Sequence, residues 1–584
     1  MPNAIWRLNA VEDKDSGRRV AIDDIIDGSS VVTSTGEKTL VEALDSRVIY
    51  VETVDDLKAL PISGIVENQA ARVTTTGRAG PFAWKSGDMS ASVGTDPNEG
   101  VCVAPEEDST GASGAWFRRV EGAVNVKWFG AEGRNNSAVD DYGPIQAAIN
   151  YVCATGAPNG YANVVGGSVF IPAGTYWTND TIEIPPECGI TLKGEGWGNT
   201  VIRLNVDGKN VLNAYGKTPG TSIEGILFAS SKTGVSGINI AGNGISVRNC
   251  WMSTQRGIQI GVDGLATDII IADCGFDQCL DYAFYITGDG YPRTIAWQGS
   301  HTILITNCWT FTGLAGTLTL GGYGTYIKGV DGVTISSMPH QYHGYNAVRI
   351  EDALDIELIG LNLIGSNDER QDASYNALRV YGGTVGTSVI VNGGAIRKSP
   401  RAGLDVYTGA RVTCLGTVFE GNATNTTAAD EWRCDVRARD CNLTLSCCRF
   451  VSGDNHYANI MFTGSDDTVN SVLNVNSCSF DNAPRKVIRA YNVGSGSPKV
   501  AHFDNNIITN ANRLGDASTI IVDLGAHRSA ARVSNNTIEC DINPTYWCAS
   551  SGSNCYTGIV YSNFAPGGIY LQSPSSHIYD NISY

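Results

Sequence analysis

Short alternations of apolar and polar residues, each followed by a small residue and often by an aromatic one, recur along the middle of the chain. The clearest copies, all with cysteine at the small position, are ISVRNCW (245–251), IIIADCGF (269–276), ILITNCW (303–309), LTLSCCRF (443–450) and LNVNSCSF (473–480). A period of two is typical of a β-strand with one buried face. The pattern predicts one such strand per repeat, with the cysteine buried as a small apolar residue and not in a disulfide.

A second type of strand recurs in the same region. Its copies are NAVRIEDA (346–353), NALRVYGG (376–383), AGLDVYTG (402–409) and RCDVRARD (433–440). Aligning the copies places four residues at one position, with intervals of 30, 26 and 30 residues: Arg349, Arg379, Asp405 and Asp435. A repeat of this length cannot bury its apolar face alone, whereas stacked repeats share a continuous core. The chain is therefore predicted to be all-β, a single-stranded right-handed parallel β-helix of about eleven or more coils.

The segment VDDYGPIQAAINYV (139–152) has a different period. Its apolar residues lie on one face of a helix, at Ile145, Ala148, Ile149 and Val152. Asp140 or Asp141 can cap this helix, and Pro144 suits its first turn. We expect the helix to close the first end of the β-helix, where an open sheet edge would otherwise be exposed.

Composition supports a β-rich, acidic particle. Only 17% of the 584 residues are charged, and 68 glycines accompany just 5 methionines, which disfavours a helical fold. The net charge of −18 argues against a nucleic-acid partner. The first twenty residues lack the apolar core of a signal peptide, and no apolar run is long enough to insert into a membrane. These features favour an extracellular or virion-borne protein.

Three segments carry a resemblance to a known family: VNVKWFGAEG (124–133), DDYGPIQAAIN (140–150) and GGSVFIPAGTY (166–176). They resemble the start of the β-helix in bacteriophage tailspikes and capsule depolymerases of the pectate-lyase-like superfamily. The resemblance implies a homotrimer on the phage tail that binds and cleaves a bacterial surface polysaccharide. Such a protein is made in the bacterial cytoplasm and acts outside the host cell, and it needs neither a cofactor nor a metal.

The resemblance also predicts how the chain is divided. The expected regions are a virion-attachment arm and linker (1–50), a small β neck (51–121), a lead-in segment with the capping helix (122–165), the catalytic β-helix (166–540) and a C-terminal cap or trimer contact (541–584). The arm is short, so we expect it to dock onto a phage tail or adaptor protein, or onto another receptor-binding protein.

The second type of strand supplies the candidate chemistry. Its outward positions are predicted to form one column of Tyr285, Tyr326, Arg349, Arg379, Asp405 and Asp435, and a second of Glu351, Tyr381, Tyr407 and Arg437. Tyrosines stack on sugar rings, and arginines form paired hydrogen bonds with acidic sugar groups. The predicted substrate-binding residues are Arg349, Arg379, Tyr381, Tyr407, Glu351, Tyr326 and His343.

Glycosidic hydrolysis needs a protonated acid and a second carboxylate. Asp405 and Asp435 are predicted to supply them, with carboxylates about 5 Å apart if they lie on neighbouring coils. The polar segment GSNDERQDASY (365–375) offers Asp368, Glu369 and Asp372 as further candidates, although the segment can equally be a solvated turn. A plain solvated face is also compatible with the pattern.

Two other functions fit the same sequence. His340 and His343, in MPHQYHGY (338–345), could act with an arginine to abstract a proton from a uronate and cause β-elimination. A protein that binds a polysaccharide without cleaving it needs no catalytic group. The sequence does not specify which polysaccharide is recognised.

The first prediction concerns assembly. We expect sedimentation to show a trimer, because wide flat faces of a β-helix are covered by symmetric packing. We also expect a circular dichroism spectrum dominated by strand. A monomer, or a spectrum dominated by helix, would contradict this interpretation.

Overall fold

The computed structural model describes the chain from 48 to 158 without a break and most of the residues from 164 to 538. The described ranges are 10–12, 19–21, 30–33, 36–39, 48–158, 164–186, 188–215, 220–277, 279–288, 300–311, 313–314, 317–320, 322–341, 343–364, 375–384, 386–425, 427–453, 456–464, 471–482, 485–492, 500–510, 522–524, 530–538, 550–551, 557–561 and 577–579. The chain forms two units, 1–132 with 143–154, and 133–142 with 155–584.

The first unit contains a small five-stranded sheet. In spatial order its strands are Ile49–Val51, Ala70–Val73, Gly80–Ser86, Gly114–Arg118 and Cys102–Val103. Trp84 and Trp116 pack edge to face in its core with ring centroids 5.4 Å apart, beside the buried side chains of Val54, Leu57 and Phe82. Four of its five strands lie within the predicted β neck (51–121), and the strand Ile49–Val51 begins two residues before it.

The remaining elements of the first 155 residues are short. They are the hairpins Ala10–Glu12 with Arg19–Ala21 and Ser30–Thr33 with Gly36–Thr39, the strand Val124–Asn125, helix α1 (Val54–Lys58), helix α2 (Ser90–Thr95), and the 3-10 turns Glu106–Asp108 and Val126–Phe129.

Helix α3 (Tyr142–Thr155) is the helix predicted from VDDYGPIQAAINYV. The predicted apolar face is buried, at Ile145, Ala148, Ile149 and Val152. The Asp140 carboxylate accepts a hydrogen bond of 3.0 Å from the amide of Tyr142, whereas Asp141 holds the N-cap position without a side-chain bond to the helix. The function of α3 as a cap for the β-helix stays a prediction.

The second unit is built from three long sheets, named here sheet 1, sheet 2 and sheet 3. Sheet 1 contains Ala157–Pro158, Val164–Ile171, Cys188–Gly194, Thr221–Glu224, Ile245–Arg248, Thr267–Ala272, His301–Thr306, Asp331–Ser336, Leu354–Ile359, Ser388–Asn392, Arg411–Leu415, Asn442–Ser446, Val472–Asn476, Val500–Asp504, Ala530–Ser534, Thr557–Tyr561 and His577–Tyr579.

Sheet 2 contains Gly174–Thr178, Thr200–Leu204, Leu227–Ala229, Trp251–Ser253, Gly275–Asp277, Trp309–Phe311, Pro339–Gln341, Asn362–Ile364, Ala395–Arg397, Val418–Glu420, Arg449–Val451, Ser479–Asp481, Ile507–Thr509 and Thr537–Ile538. Sheet 3 contains Ile182–Ile184, Asn210–Ala214, Ser236–Ile240, Arg256–Ile260, Tyr282–Thr287, Tyr323–Lys328, Val348–Glu351, Leu378–Tyr381, Leu404–Tyr407, Cys434–Arg439, Ala458–Gly464, Lys486–Asn492, Val522–Leu524 and Ser550–Ser551. A hairpin of Gly313–Leu314 and Thr317–Leu320 and the 3-10 turn Asp430–Trp432 lie between these strands.

The chain visits sheets 1, 2 and 3 in turn, and each strand from Val164–Ile171 onward pairs in parallel with the strand one coil later. This arrangement confirms the predicted parallel β-helix. The fourteen described strands of sheet 3 also exceed the predicted minimum number of coils. In the described parts of the chain, no helix has the length and apolar character needed to traverse a membrane.

The corner between sheets 1 and 2 is repeated from coil to coil. One residue at this corner has a positive φ in twelve successive coils: Gly225, Asn249, Asp273, Asn307, Ser337, Gly360, Gly393, Gly416, Cys447, Ser477, Asn505 and Asn535. Glycine adopts this conformation freely, and asparagine and aspartate tolerate it better than other residues. The corner explains why N or D precedes the cysteine in three of the five copies of the repeated phrase, with Ser477 and Cys447 in the other two.

The residue after this corner points into the core. In five coils it is a cysteine whose thiol donates to a backbone carbonyl of the preceding coil, for example Cys478 to Leu445 at 3.5 Å. In two later coils it is an asparagine, and the Asn506 amide donates to the Val475 carbonyl in the same way.

The ten cysteines between 250 and 478 are free, as predicted, whereas Cys153 and Cys188 are disulfide-bonded.

Inward aromatic residues of sheet 2 stack along the axis. The rings of Phe419, Phe450 and Phe480 lie nearly parallel, with centroids 4.8 and 4.6 Å apart. All three are fully buried. These contacts form a ladder of inward aromatic residues along the core.

The left-handed corner provides a stability test. Asn249 is exposed and has φ 50°, a backbone conformation that valine tolerates poorly. Asn249→Val should therefore reduce the free energy of unfolding by about 1–2 kcal/mol and lower the thermal unfolding midpoint. The matched variant Asn249→Gly should unfold at or near the wild-type temperature. Equal midpoints for the valine and glycine variants would show that the corner is not constrained.

Candidate functional site

The outward face of sheet 3 carries a column of residues that is polar except at the buried Met461. Its register runs Glu183, Asn213, Asn239, Gln259, Tyr285, Tyr326, Arg349, Arg379, Asp405, Arg437, Met461, Arg489 and Asp523. A second column, two residues later in each strand, runs Lys328, Glu351, Tyr381, Tyr407, Arg439 and Thr463. The structure therefore brings most of the predicted binding residues together on one face.

Arg349, Glu351 and Tyr326 form a connected group on this face. The Glu351 carboxylate accepts hydrogen bonds from the Tyr326 hydroxyl at 2.7 Å and from Nε of Arg349 at 2.7 Å. Burial, together with the bond to Glu351, raises the pKa of Tyr326. Burial alone would lower the pKa of Arg349, but the bond to Glu351 outweighs it and the pKa is raised. Both side chains thus keep their protons at neutral pH.

Tyrosines continue the face on both sides of this group. Successive ring centroids lie 4.6–5.4 Å apart along a series of six: Tyr282, Tyr285, Tyr326, Tyr323, Tyr345 and Tyr375. Sequence reasoning missed four of them. The Y-x-x-Y spacing shared by Tyr282–Tyr285 and Tyr323–Tyr326 was a signal that could have identified two.

Arg379 lies over this surface two coils beyond Tyr326. Its guanidinium is 4.9 Å from the ring centroid of Tyr407, and Tyr407 packs against Tyr381 at 4.8 Å. The Arg379 side chain is 29% exposed, so the arginine can still meet a ligand. The predicted placement of Arg379, Tyr381 and Tyr407 on one face is confirmed.

The prediction that Asp405 is an exposed carboxylate is wrong. Asp405 does occupy the predicted column, but it has no solvent-exposed surface. It lies between two arginines, with Oδ2 3.6 Å from Nε of Arg379 and Oδ1 3.1 Å from Nη1 of Arg437. Burial raises its pKa, and the two arginines oppose this rise. Asp405 therefore orients the arginines and has no open side for a substrate.

The predicted position of Asp435 is also wrong. Asp405 pairs with Arg437, so the true register is shifted by two residues, and Arg439 takes the place predicted for Arg437 in the second column. A shift of two preserves the alternation of inward and outward residues, and the pattern could not detect it. Asp435 is fully buried, where it accepts from Asn422 and Asn459 and lies 3.1 Å from Nε2 of His456.

The two histidines proposed for β-elimination are inside the β-helix. His340 and His343 have no exposed surface, and both lie beside the Thr310 hydroxyl. Burial lowers the pKa of His340 to about 3, and burial together with the neighbouring His340 lowers the pKa of His343 well below its usual range. The predictions of His343 as a substrate-binding residue and of either histidine as a surface base are therefore wrong. The sequence around these histidines resembles a loop and did not indicate the short strand Pro339–Gln341, in which His340 points inward.

Asp368, Glu369 and Asp372 lie outside the described residues. In the part of the chain that the structure describes, no group of three or more His, Cys, Asp or Glu side chains could hold a metal ion. The chemistry of the central face is therefore that of arginines, tyrosines and one partly exposed carboxylate, Glu351.

A comparison with protein families supports the predicted resemblance to the pectate-lyase-like superfamily over part of the chain. Residues 123–233 match the family model of rhamnogalacturonase A/epimerase, pectate lyase-like. The matched residues include all three segments that carry the resemblance in the sequence, 124–133, 140–150 and 166–176. No curated protein matches the chain.

Solved structures are similar to this chain at low identity. Tailspike protein 2 from Escherichia coli O157:H7 bacteriophage CAB120 aligns with 12% identity over 86% of this chain and 63% of its own, less than two thirds, with a TM-score of 0.45. The mannuronan C-5 epimerase A-module from Azotobacter vinelandii aligns with 15% identity over 64% and 100% (TM-score 0.46). A tailspike from Acinetobacter baumannii bacteriophage Fri1, a capsular polysaccharide depolymerase, aligns with 12% identity over 74% of each chain (TM-score 0.40).

The position of Asp405 gives a second stability test. Asp405→Asn should lower the thermal unfolding midpoint strongly, because it leaves the buried Arg437 without its main counter-charge, a loss on the scale of about 3–5 kcal/mol. Asp355→Asn is the matched control, since Asp355 is exposed on sheet 1 and the change in net charge is the same. Equal midpoints for the two variants would contradict the structural role of Asp405.

Proposed function

We propose that this protein is a phage tailspike that recognises and depolymerises an acidic bacterial surface polysaccharide, a capsule, exopolysaccharide or O-antigen, through the outward face of sheet 3. One observation carries the proposal: tyrosines and arginines share a single face across successive coils from Tyr282 to Tyr407. A strand spacing of about 4.8 Å gives this face the extended, repeating form that suits a polymer.

The charges of the face indicate what kind of sugar it binds. The protein has a net charge of −18, yet Arg349 and Arg379 present guanidinium groups beside aromatic rings. Arginine pairs well with carboxylate groups such as those of uronates or pyruvate substituents, and the ring faces suit sugar stacking. Partly exposed guanidinium groups beside aromatic rings on an acidic protein favour an anionic polysaccharide.

Endo-acting hydrolysis is the reaction we propose, with elimination as the alternative. A lyase needs a base on this face that can accept a proton. Burial and Glu351 raise the pKa of Tyr326, which makes it a poor base at neutral pH, and His340 and His343 are enclosed. These observations favour hydrolysis by carboxylates elsewhere on the face.

The virion context comes from the sequence resemblance over the start of the β-helix. We propose that the protein is a homotrimer carried on the phage tail, docked through its N-terminal arm, and that it acts outside the host cell without a cofactor. An adhesin that binds without cleaving would use the same face, so activity must be measured directly.

A single assay distinguishes these functions. Purified acidic capsular polysaccharides are incubated with the protein, and new reducing ends and unsaturated-uronate absorbance are recorded together. Reducing ends without absorbance support hydrolysis, and absorbance indicates a lyase. Neither signal from any polysaccharide that binds would indicate an adhesin.

The binding face has its own variant. Tyr381→Ala should weaken polysaccharide binding about tenfold, because it removes one stacking surface beside Tyr407. Tyr50→Ala, at a tyrosine that is 70% exposed outside the β-helix, is the matched control. Unchanged affinity in Tyr381→Ala would move the binding site away from this face.

A further inference from the structure

A cluster of carboxylates and amides occupies the first coils of sheet 3, on the same outward column as the tyrosines and arginines. Glu183, Asn213 and Asn239 follow one another in register on three successive strands. Asp263, three residues beyond the next strand, reaches back to this column. None of these residues was singled out by the sequence, because their strands lack the arginine-rich phrase.

The cluster is connected by the two amide side chains. Asn213 Nδ2 donates to Glu183 Oε1 at 2.9 Å, and its Oδ1 accepts from Asn239 Nδ2 at 3.3 Å. Asn239 Nδ2 also donates to Asp263 Oδ2 at 2.7 Å. Two carboxylates are thus held at opposite ends of a short chain of amides.

Two independent features indicate that the Asp263 end of this cluster meets a ligand. Asp263 and Tyr215 line a surface cleft of about 570 Å³, together with Asn243, Leu265 and Thr267. Within the cluster, the side chain of Asn239 is fully buried and its Oδ1 has no hydrogen-bond partner. An unsatisfied buried carbonyl is costly in a purely structural network.

The two carboxyl groups differ in their surroundings. Asp263 is exposed, whereas Glu183 is half-buried. Burial raises the pKa of Glu183, the bond from Asn213 opposes this, and the charges of Asp180 and Asp263 add to the rise. Hydrolases that use two carboxyl groups need this difference, since one must be protonated and the other ionised.

We propose that Glu183 and Asp263 are the general acid and the general base of the polysaccharide hydrolase. This inference rests on the proposed function. Glu183 gives its proton to the glycosidic oxygen as the bond from that oxygen to the anomeric carbon breaks. Water attacks the anomeric carbon from the opposite side and passes a proton to Asp263. Proton exchange with solvent then restores both groups, and one water is consumed per bond cleaved.

The span between the carboxyl groups indicates the stereochemistry. Glu183 and Asn239 are two strands apart, a separation of about 10 Å along the sheet, and Asp263 contacts Asn239. Two amide side chains therefore lie between the carboxyl groups, so we expect them to be farther apart than the about 5 Å of retaining enzymes, with room for a water as in inverting enzymes. The first sugar-stacking tyrosine, Tyr285, follows two coils beyond Asn239, so a bound chain would cross both regions.

The test uses Glu183→Gln and Asp263→Asn in the full chain, on an acidic capsular polysaccharide that the wild-type protein cleaves. Each should lower kcat at least about a hundredfold with KM and polysaccharide binding little changed, as expected for loss of a general acid or base. Glu357→Gln, on the outward side of sheet 1, should keep wild-type activity. The glutamine retains the acceptor for Asn213, and Asp263 is exposed, so both variants should fold, as checked by their unfolding midpoints.

The outcomes separate the two proposals. If the wild-type protein produces no reducing ends from any polysaccharide that it binds, the proposed hydrolase function fails. If it does, but either variant retains wild-type kcat, the assignment of Glu183 and Asp263 is overturned. Nuclear magnetic resonance of the first product should show inversion at the anomeric carbon, and retention would also overturn the assignment.

Discussion

The left-handed corner between sheets 1 and 2 is the constraint on which the rest of the structure depends. It places a residue of positive φ at the same point in twelve successive coils. Because each coil turns at the same point, strands of neighbouring coils remain in register and equivalent residues stack on one another. The cysteine, phenylalanine and tyrosine ladders are consequences of this regular turn, as is the single column from Glu183 to Asp523.

Stacking in register has an electrostatic consequence. Residues one coil apart are about 4.8 Å apart, so two like charges in one column repel unless something intervenes. On sheet 3 the conflict is resolved in two ways. Asp405 is inserted between Arg379 and Arg437, and aromatic rings lie beside the guanidinium groups of Arg349 and Arg379. Much of the charge predicted to do chemistry is therefore used to hold the face together.

The same face changes character along the helix axis. Its first coils carry carboxylates and amides, its middle carries tyrosines and arginines, and the coils that follow carry buried ion pairs. Binding and proton transfer require different surroundings, since a polymer needs an open aromatic surface and a general acid needs partial burial. We infer that the two tasks are divided between different coils of one face.

The sequence by itself determined the repeat, the parallel β-helix, the helix at 142–155 and the free cysteines, because each depends on local alternation or turn preference. It also placed Arg349, Arg379, Tyr381 and Tyr407 on one face, since equal-length phrases stack in register. Only the tertiary structure decided that Asp405, Asp435, His340 and His343 are buried, because burial depends on neighbouring coils and loops and a two-residue shift leaves the alternation intact. It alone also joined Asp263 and Glu183, residues 80 positions apart in the chain that share no motif, through the side chains of Asn213 and Asn239.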